Sequence, residues 1–377
     1  MAYDKATTKY LLSLIKSTLH DATPLEKPED VDWLELFEVA RFQEVIELAY
    51  YSIEKLRVKP SGEAEQKWKS AHGRNETIDI LQKEEEKLIV DEVTKKGIGI
   101  LPLKGAVMKN LYPQSILRYA GDLDFLVEPG KIDELKPLMK ELGYKADDVG
   151  LEDSHDVYKK MPYLEVEMHR RLLSPTEENH WYIDDIWERL EKSPENPKRM
   201  QMTWTDFYVF HLLHFEKHYS LSGSGIRYIV DQYVLMKTIK DKIDWDYVKE
   251  TLPKMNYVEF EAMCNGLADA WFDDGEMNDE LEKQAEFMYE HGAFGTSETL
   301  RDFYKEKYRK EYNITTEKGF FLRRMFMERE RMEFIYPRLK KHGWMLPFCW
   351  VHRLFKAVLF KRGRVKSELE GFKKKGE

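Results

Sequence analysis

Cysteine is scarce in this sequence: only Cys264 and Cys349 occur among 377 residues. Two cysteines are too few for a disulfide framework, and they stand too far apart along the chain for a zinc ribbon. No apolar stretch approaches the roughly 20 residues that a membrane-spanning helix needs. The N-terminal residues also lack the basic start and the cleavage site of a signal peptide. We therefore expect a cytoplasmic protein without a transmembrane segment.

Charge is distributed unevenly along the chain. The net charge is −9, yet residues 319–377 hold 16 Lys and Arg against 6 Glu, a net of +10, and the residues before them hold 44 basic against 63 acidic side chains. A basic segment can bind nucleic acid or an anionic membrane surface, or it can be a solvated helical tail. The overall acidic balance does not favour a long nucleic-acid partner, whose recognition normally requires a basic face.

Apolar periodicity divides the chain into four parts. Residues 1–97 have helical periodicity, including one helix predicted over residues 31–56. In residues 98–173 short apolar strands alternate with helical stretches, and residues 174–318 return to helix. The remainder is a basic, aromatic helical segment. The fold class that we predict is α+β, with a small mixed-sheet core flanked by N-terminal and C-terminal helical regions.

The most informative pattern is Asp122-Leu123-Asp124 within an apolar run. Side chains on a strand alternate between faces, so both carboxylates project from one side while Leu123, Phe125 and Val127 face a core. Two anions held close together repel each other unless a cation lies between them. Hard oxygen ligands suit Mg²⁺, which commonly bridges to substrate phosphates. Alone, Asp-x-Asp is common in loops and is not specific.

A second predicted strand carries Glu165, Glu167 and His169, which alternate with apolar residues. Strand geometry places these three polar side chains on one face. If the strand lies beside the Asp-x-Asp strand, one of its acids completes a cluster of three carboxylates. Such a cluster can hold two cations for in-line attack on a phosphoryl group. The alternative is an amphipathic strand with a solvated face.

Lys104-Gly105 lies between a predicted strand and a predicted helix. Glycine allows close backbone approach, a helix N-terminus favours an anion, and the lysine adds a full positive charge. This turn can therefore hold the phosphates of a nucleotide, although a plain turn glycine explains the pattern as well. Arg118, four residues before Asp122, is placed to contact a phosphate or one of the acids.

The later helical region carries further polar residues at helical spacing. His211, His214 and His218 share one helix face, which permits a metal-ligand set. No cysteine or acid completes that set, so we favour a cleft-facing or packing role. Arg227 and Asp231 lie one turn apart on the next helix. They form either an ordinary ion pair, or a pair in which Arg227 binds phosphate and Asp231 orients it or a substrate hydroxyl.

Four stretches together carry a family resemblance: LPLKGAVMKNLYP, LRYAGDLDFLV, YLEVEMHRRLL and HLLHFEKHYSLSGSGIRYIVDQYVLM. Through them, residues 30–365 resemble the uncharacterised bacterial nucleotidyltransferases of the polymerase-beta-like superfamily. Two features depart from the superfamily pattern. The usual Gly-Ser turn is replaced by Lys-Gly, and the distance from Gly105 to Asp122 is longer.

The resemblance implies a role for each candidate residue. Residues 98–173 would form the nucleotidyltransferase core, and residues 174–318 the helical domain that closes the cleft. The metal ligands and catalytic carboxylates would be Asp122, Asp124 and Glu167. The nucleotide phosphates would be bound by Lys104, Gly105 and Arg227, and we expect Arg118, from its position before Asp122, to bind them as well. The cleft would also hold His169, His214, His218 and Asp231.

The function expected from this resemblance is transfer of a nucleoside monophosphate from an NTP to an acceptor hydroxyl, with release of pyrophosphate and with Mg²⁺ or Mn²⁺ as cofactor. The acceptor stays open among a sugar or small metabolite, a protein side chain and an RNA end, as do the base preference and the oligomeric state. The alternative is a non-catalytic nucleotide- or partner-binding protein on the same scaffold. Retention of all three carboxylates argues against it.

Overall fold

The computed structural model of the protein describes residues 4–148, 154–175 and 177–360. These residues form two units, the first from residues 4–148 and 154–303 and the second from residues 304–360. All of the candidate site residues belong to the first unit. A search of the described residues finds no helix both long enough and apolar enough to cross a membrane.

Side-chain caps fix where several helices of the first unit begin. Asp4 accepts a hydrogen bond from the amide of Thr7 at 2.7 Å, and Asp32 accepts one from the amide of Leu34 at 2.8 Å. An N-cap carboxylate satisfies amides that have no partner within the helix. In chain order the helices are α1 (Lys5–Leu19), α2 (Trp33–Phe42), α3 (Ile46–Ile53), α4 (Gly62–Lys95), α5 (Gly105–Met108), α6 (Leu135–Glu141), α7 (Ile186–Arg189), α8 (Trp204–Ser222), α9 (Ile226–Ile239), α10 (Trp245–Met255), α11 (Val258–Phe272), α12 (Asp279–His291) and α13 (Ser297–Tyr312).

The prediction of one helix over residues 31–56 is wrong, because the helix is interrupted at Glu44. This residue has a φ of +54°, which lies outside the range of a right-handed helix and is uncommon for a residue with a side chain. Helix α2 therefore ends before Glu44 and α3 begins after it. The break places the Glu44 carboxylate against Arg227, with which it forms an ion pair.

Five strands form a mixed sheet in the first unit: β1 (Ile100–Pro102), β2 (Leu123–Val127), β3 (Lys145–Asp148), β4 (His155–Lys160) and β5 (Leu164–His169). Their order across the sheet is β1-β2-β5-β4-β3. β2 and β5 are parallel, while the other neighbours are antiparallel. A separate two-stranded ribbon joins β6 (Glu191–Lys192) to β7 (Met200–Gln201). This mixed sheet with flanking helices confirms the predicted α+β fold class.

One face of the sheet is buried against α4 and α6. Leu123, Phe125 and Val127, which the alternation predicts to face a core, are each at most 3% exposed. They share one apolar cluster with Val90 of α4 and Leu135 of α6. This prediction is confirmed. Because side chains alternate along β2, the residues between them project from the opposite face.

A second, larger apolar core joins the N-terminal helices to the later helices of the first unit. Leu11 of α1, Leu36 of α2, Tyr208 of α8 and Ile229 of α9 all belong to it and are fully buried. Helix α9 also contacts the 3₁₀ turn Lys109–Leu111, which follows α5. The core thus holds α8 and α9 near the chain segment that precedes β2.

The second unit begins at residue 304, within α13, and its described residues also form α14 (Glu317–Met325), α15 (Arg329–Ile335) and α16 (Leu346–Phe360). A small apolar cluster of Met332, Leu339 and Cys349 joins α15 to α16. The basic, aromatic segment predicted over residues 319–377 is mainly helical as far as residue 360, and residues 361–377 lie outside the described part of the chain.

Candidate active site

The pairing of β2 with β5 brings the predicted carboxylates together. Asp124 lies opposite Glu167 in the parallel register, and Asp122 immediately precedes β2. One carboxylate oxygen of each of the three residues lies within 4.8 Å of one oxygen of the other two. The conditional prediction that the two strands are neighbours is therefore confirmed, and the register places Glu167 rather than Glu165 beside Asp124.

His169 lies behind this cluster and contacts two of its members. Its Nε2 atom is 2.8 Å from Oδ1 of Asp124 and 3.2 Å from Oε2 of Glu167. On the neighbouring strand, Nε2 of His155 lies 3.8 Å from Oε1 of Glu167. Antiparallel pairing of β4 with β5 sets His155 opposite His169. His155 is not among the site residues predicted from the sequence, although its place at the start of β4 is a signal that could have found it.

Lys104 reaches the cluster from the turn before α5. Its Nζ atom donates a hydrogen bond to Oδ1 of Asp124 at 2.9 Å. The residue has a φ of +41°, a conformation that non-glycine residues rarely adopt and that costs about 1–3 kcal/mol. The next residue, Gly105, leaves little room for a side chain, because an added Cβ would lie 3.0 Å from Cβ of Ala120. This turn is thus packed closely against the segment that leads into β2.

Burial and mutual repulsion separate the pKa values of the acids. Burial, together with the charge of Asp124, raises the pKa of Asp122 to about 7. Burial also acts on Asp124, but the Lys104 ammonium and the hydrogen bond from His169 outweigh it and hold the pKa of Asp124 well below its usual range. For Glu167, the hydrogen bond from His169 likewise overcomes burial and lowers the pKa. Near neutral pH, Asp124 and Glu167 are therefore ionised and Asp122 titrates.

The donor chemistry of the cluster fits a hard divalent cation. Asp122, Asp124 and Glu167 offer three carboxylates, the ligands that Mg²⁺ and Mn²⁺ prefer in proteins. Burial and, after it, the neighbouring charge of Asp124 raise the pKa of Asp122, and the nearby Lys104 ammonium does not offset them. A cation among these oxygens would favour the ionised form of all three acids.

Arg118 and Asp231 form a buried ion pair across 113 residues of sequence. Nε and Nη2 of Arg118 lie 3.2 and 2.8 Å from the two carboxylate oxygens of Asp231. Nη1 donates to the backbone oxygen of Tyr119 at 2.8 Å, and Tyr112 donates its hydroxyl to Asp231 at 2.8 Å. All three nitrogens of this guanidinium are thus used within the protein. The acid that Arg118 contacts is Asp231 rather than Asp122.

Among the described residues, Arg227 forms no ion pair with Asp231. The ordinary i,i+4 ion pair that the sequence permits is therefore not formed. Arg227 pairs instead with Glu44. The side chain is 8% exposed, and its Nε atom has no hydrogen-bond partner among the described residues. Its guanidinium also lies against the rings of Tyr228 and Phe294. Arg227 is therefore a buried cation with a free donor.

The three histidines of α8 are neutral side chains near neutral pH. Burial lowers the pKa of His211 and of His218 to about 4, and burial also holds the pKa of His214 well below its ordinary value. The Nε2 atoms of His214 and His218 lie 3.1 Å apart. Within the described residues, the two side-chain groups with metal-ligand spacing contain none of these histidines. This arrangement agrees with a cleft-facing role rather than a metal set.

A cavity of about 260 Å³ lies over the carboxylate cluster. Its wall also includes Phe207, Phe210, His211, Tyr228 and Phe294. Of the eleven predicted site residues, His169 lies outside the lining and contacts Asp124 from behind. The other ten line the cavity: Lys104, Gly105, Arg118, Asp122, Asp124, Glu167, His214, His218, Arg227 and Asp231.

Comparison with known families identifies the chain. The model of a family described as "Uncharacterised nucleotidyltransferase" matches residues 29–273. This match spans more than half of the chain, and the protein belongs to this family. The protein is therefore a nucleotidyltransferase enzyme, as the sequence motifs led us to expect. The matched residues include the sheet, the carboxylate cluster, α8 and α9.

Other comparisons add little to the family assignment. A search of curated proteins finds no significant match. Among solved structures, the antibiotic-resistance factor ANT(2'')-Ia, studied in solution for its substrate-regulated conformation dynamics, is 11% identical. The likeness covers 49% of this chain and 97% of that one, with a TM-score of 0.35. A TM-score this low carries no argument about the present protein.

Proposed function

We propose that the protein transfers a nucleoside monophosphate from an NTP to an acceptor hydroxyl and releases pyrophosphate. The acceptor oxygen forms a bond to the α-phosphorus, and the bond from that phosphorus to the bridging oxygen breaks. Pyrophosphate leaves with the electron pair, and the hydroxyl proton passes to water. The observation that carries this proposal is the cluster of Asp122, Asp124 and Glu167 in the wall of a cavity that also contains three cationic side chains.

The carboxylates would hold the cation that such a reaction requires. Asp122, Asp124 and Glu167 are the residues that we assign to Mg²⁺, with Mn²⁺ as the substitute. When bound, the ion supplies positive charge to the phosphate oxygens and lowers the pKa of the attacking hydroxyl. His169 keeps Asp124 and Glu167 oriented through its two contacts. This support is typical of the partners that position metal ligands.

The cations of the cavity divide into two roles. Lys104 and Arg227 are the residues that we propose to bind the triphosphate, with Gly105 allowing close approach at the turn. The place of Arg227 in the cavity wall, beside Tyr228 and Phe294, supports this assignment. For Arg118 we propose a positioning role, because its three nitrogens are already used by Asp231 and Tyr119. It fixes the wall of the cavity rather than a phosphate.

The remaining cleft residues shape the space around the substrates. His214 and His218 present neutral, buried imidazoles to the cavity, and Asp231 anchors Arg118. The acceptor that we propose is a sugar or another small metabolite, with a protein side chain or an RNA end as the other candidates. The net charge of −9 disfavours a long nucleic acid.

Label transfer tests the reaction directly. The protein is incubated with Mg²⁺, each of the four α-labelled NTPs, and a cell extract as the source of acceptors. We expect label to appear on an acceptor with the parent chain and to be lost in Asp122→Asn and Asp124→Asn. Asp133→Asn is the matched control, because this aspartate is exposed and pairs with Lys136. Equal transfer by the parent and both cluster variants would overturn the proposal.

A further inference from the structure

Phe294 lies in the wall of the cavity, yet 70% of it is exposed. Single exposed apolar side chains are normal on protein surfaces. Phe294, however, lines the same cavity as Asp122 and Asp124. A ring that stays open to a cavity of this kind offers an unpaired face to a planar ligand.

The backbone on both sides of Phe294 is closely packed. Gly292 and Gly295 have φ values of +65° and +66°, a conformation that side chains rarely allow. A Cβ atom on Gly295 would lie 2.2 Å from the backbone oxygen of Ser222, so that position has no space for one. The amide of Thr296 donates a hydrogen bond to the same oxygen at 2.8 Å. These contacts fix the backbone of the loop and therefore the position of the Phe294 ring.

Arg227 lies beside the ring and connects it with the proposed phosphate site. The carbon at the centre of its guanidinium is 5.7 Å from the centroid of Phe294 and 5.5 Å from that of Tyr228. Within about 6 Å a guanidinium is attracted to an aromatic face. The ion pair with Glu44 holds Arg227 in turn. The cavity wall thus sets a cation next to an exposed ring, the combination with which proteins bind charged phosphates and stack on aromatic bases.

We propose that Phe294 stacks on the nucleobase of the NTP. The inference rests on the proposed function, because it takes an NTP as the substrate. Phe294 acts as a binding residue remote from the reacting phosphorus. Every base has a π-face, so stacking binds all four NTPs and distinguishes them from an inorganic triphosphate. The family match ends at residue 273, so this residue lies outside the part that the family shares.

Calorimetric titration of the full chain in Mg²⁺ tests the stacking, with each of the four NTPs and inorganic tripolyphosphate as probes. The variants are Phe294→Ala, Phe294→Leu and Phe294→Trp, and the matched control is Trp181→Ala. Trp181 is an aromatic residue with 45% exposure that does not line the cavity. Phe294→Leu keeps an apolar side chain without a ring, and it replaces the alanine variant if thermal unfolding shows that the latter does not fold.

The ring-deleting variants should weaken binding of the tightest NTP by about 5- to 150-fold, the loss that removal of a stacking ring causes. They should leave tripolyphosphate binding within about twofold, and Phe294→Trp and Trp181→Ala should bind like the parent. An unchanged NTP affinity in the ring-deleting variants would overturn the stacking. Equal weakening of NTP and tripolyphosphate would overturn it as well.

The same variants separate this inference from the proposed reaction. NTP binding that depends on the ring, without any label transfer, would overturn the reaction and support the stacking. Label transfer with an unchanged KM for the NTP in Phe294→Ala would support the reaction and overturn the stacking. A parent chain that binds no NTP would overturn both.

Discussion

Nε2 of His169 lies 2.8 Å from Oδ1 of Asp124, and both side chains are buried. The same imidazole nitrogen is 3.2 Å from Glu167. One side chain therefore orients two of the three proposed metal ligands, although it does not line the cavity. Removing the imidazole would take away a hydrogen-bond donor that lies between these two carboxylates, so they would repel each other more strongly.

Replacement of this imidazole should affect the reaction more than the fold. We expect His169→Ala to lower kcat/KM by about 10- to 100-fold, the usual loss when a partner of metal ligands is removed. His169→Gln keeps a donor and should recover part of the loss. His180→Ala is the control, because His180 contacts Asp184 at the protein surface. Steady-state kinetics with the labelled NTP is the measurement, and full activity in His169→Ala would contradict the assigned role.

The buried pair of Arg118 and Asp231 should be costly to break. A partner left alone keeps an uncompensated buried charge, so Arg118→Met should lower the free energy of unfolding by about 3–5 kcal/mol. Adding Asp231→Leu to it should restore part of that loss. Urea unfolding is the measurement. The exposed pair of Lys136 and Asp133 is the control, and breaking it should cost about 0–1 kcal/mol. A loss of unfolding free energy below about 3 kcal/mol for Arg118→Met would contradict the burial of this pair.

Divalent cation binding should stabilise the folded protein. At a hundredfold excess over its Kd, Mg²⁺ should add about 2.7 kcal/mol to the free energy of unfolding, because it binds the native carboxylate cluster. Asp124→Asn should lose most of this effect, and the exposed control Asp133→Asn should keep it. Thermal unfolding with Mg²⁺ and with a chelator is the measurement. A Tm that Mg²⁺ does not change in the parent would contradict the metal assignment.

Acid should destabilise the protein partly through His211. Burial holds its pKa at about 4 in the folded chain, whereas an unfolded histidine titrates near about 6.5. Between these two pKa values the unfolded chain binds a proton at His211 that the folded chain does not bind. The contribution of His211 to the free energy of unfolding is therefore complete above about pH 6.5 and decreases as the pH falls toward 4. At about pH 5 this residue should account for about 2 kcal/mol of lost stability.

His211→Leu should remove that contribution. Compared with the parent, the variant should lose about 2 kcal/mol less free energy of unfolding between about pH 7 and about pH 5. Urea unfolding at the two pH values gives the comparison, and His180→Leu, at a partly exposed position, is the control. An identical acid dependence in His211→Leu and the parent would show that His211 is not a buried neutral side chain.

The sequence was sufficient where the chemistry follows from local periodicity. Asp122 and Asp124 are two residues apart, and Glu165, Glu167 and His169 alternate, so strand geometry alone set their faces. The apolar residues between them identified the strands. The family resemblance then selected Glu167 as the third carboxylate. The register between β2 and β5 supports that choice, since it sets Glu167 opposite Asp124.

Contacts between residues far apart in the sequence could not be predicted from local periodicity. Asp231 pairs with Arg118 across 113 residues, although its neighbour by helical spacing is Arg227. Glu44 reaches Arg227 because an unusual backbone conformation breaks a helix that periodicity predicted as continuous. Phe294 lies in a loop whose backbone is hydrogen-bonded to the ends of α2 and α8, far away in the sequence. These relations depend on tertiary packing, which overrides local preference.

We propose that Asp122, Asp124 and Glu167 form one metal-dependent transfer site, and Glu167 allows the sharpest test of this site. Glu165 is the natural control, because it is two residues away on the same strand and pairs with Lys159 instead. The measurement is Mg²⁺-dependent label transfer from an NTP by Glu167→Gln and by Glu165→Gln. We predict a loss of at least about 100-fold for Glu167→Gln, as expected when several kcal/mol of charge stabilisation is removed, and near-parent activity for Glu165→Gln. Equal activity of the two variants would contradict the account.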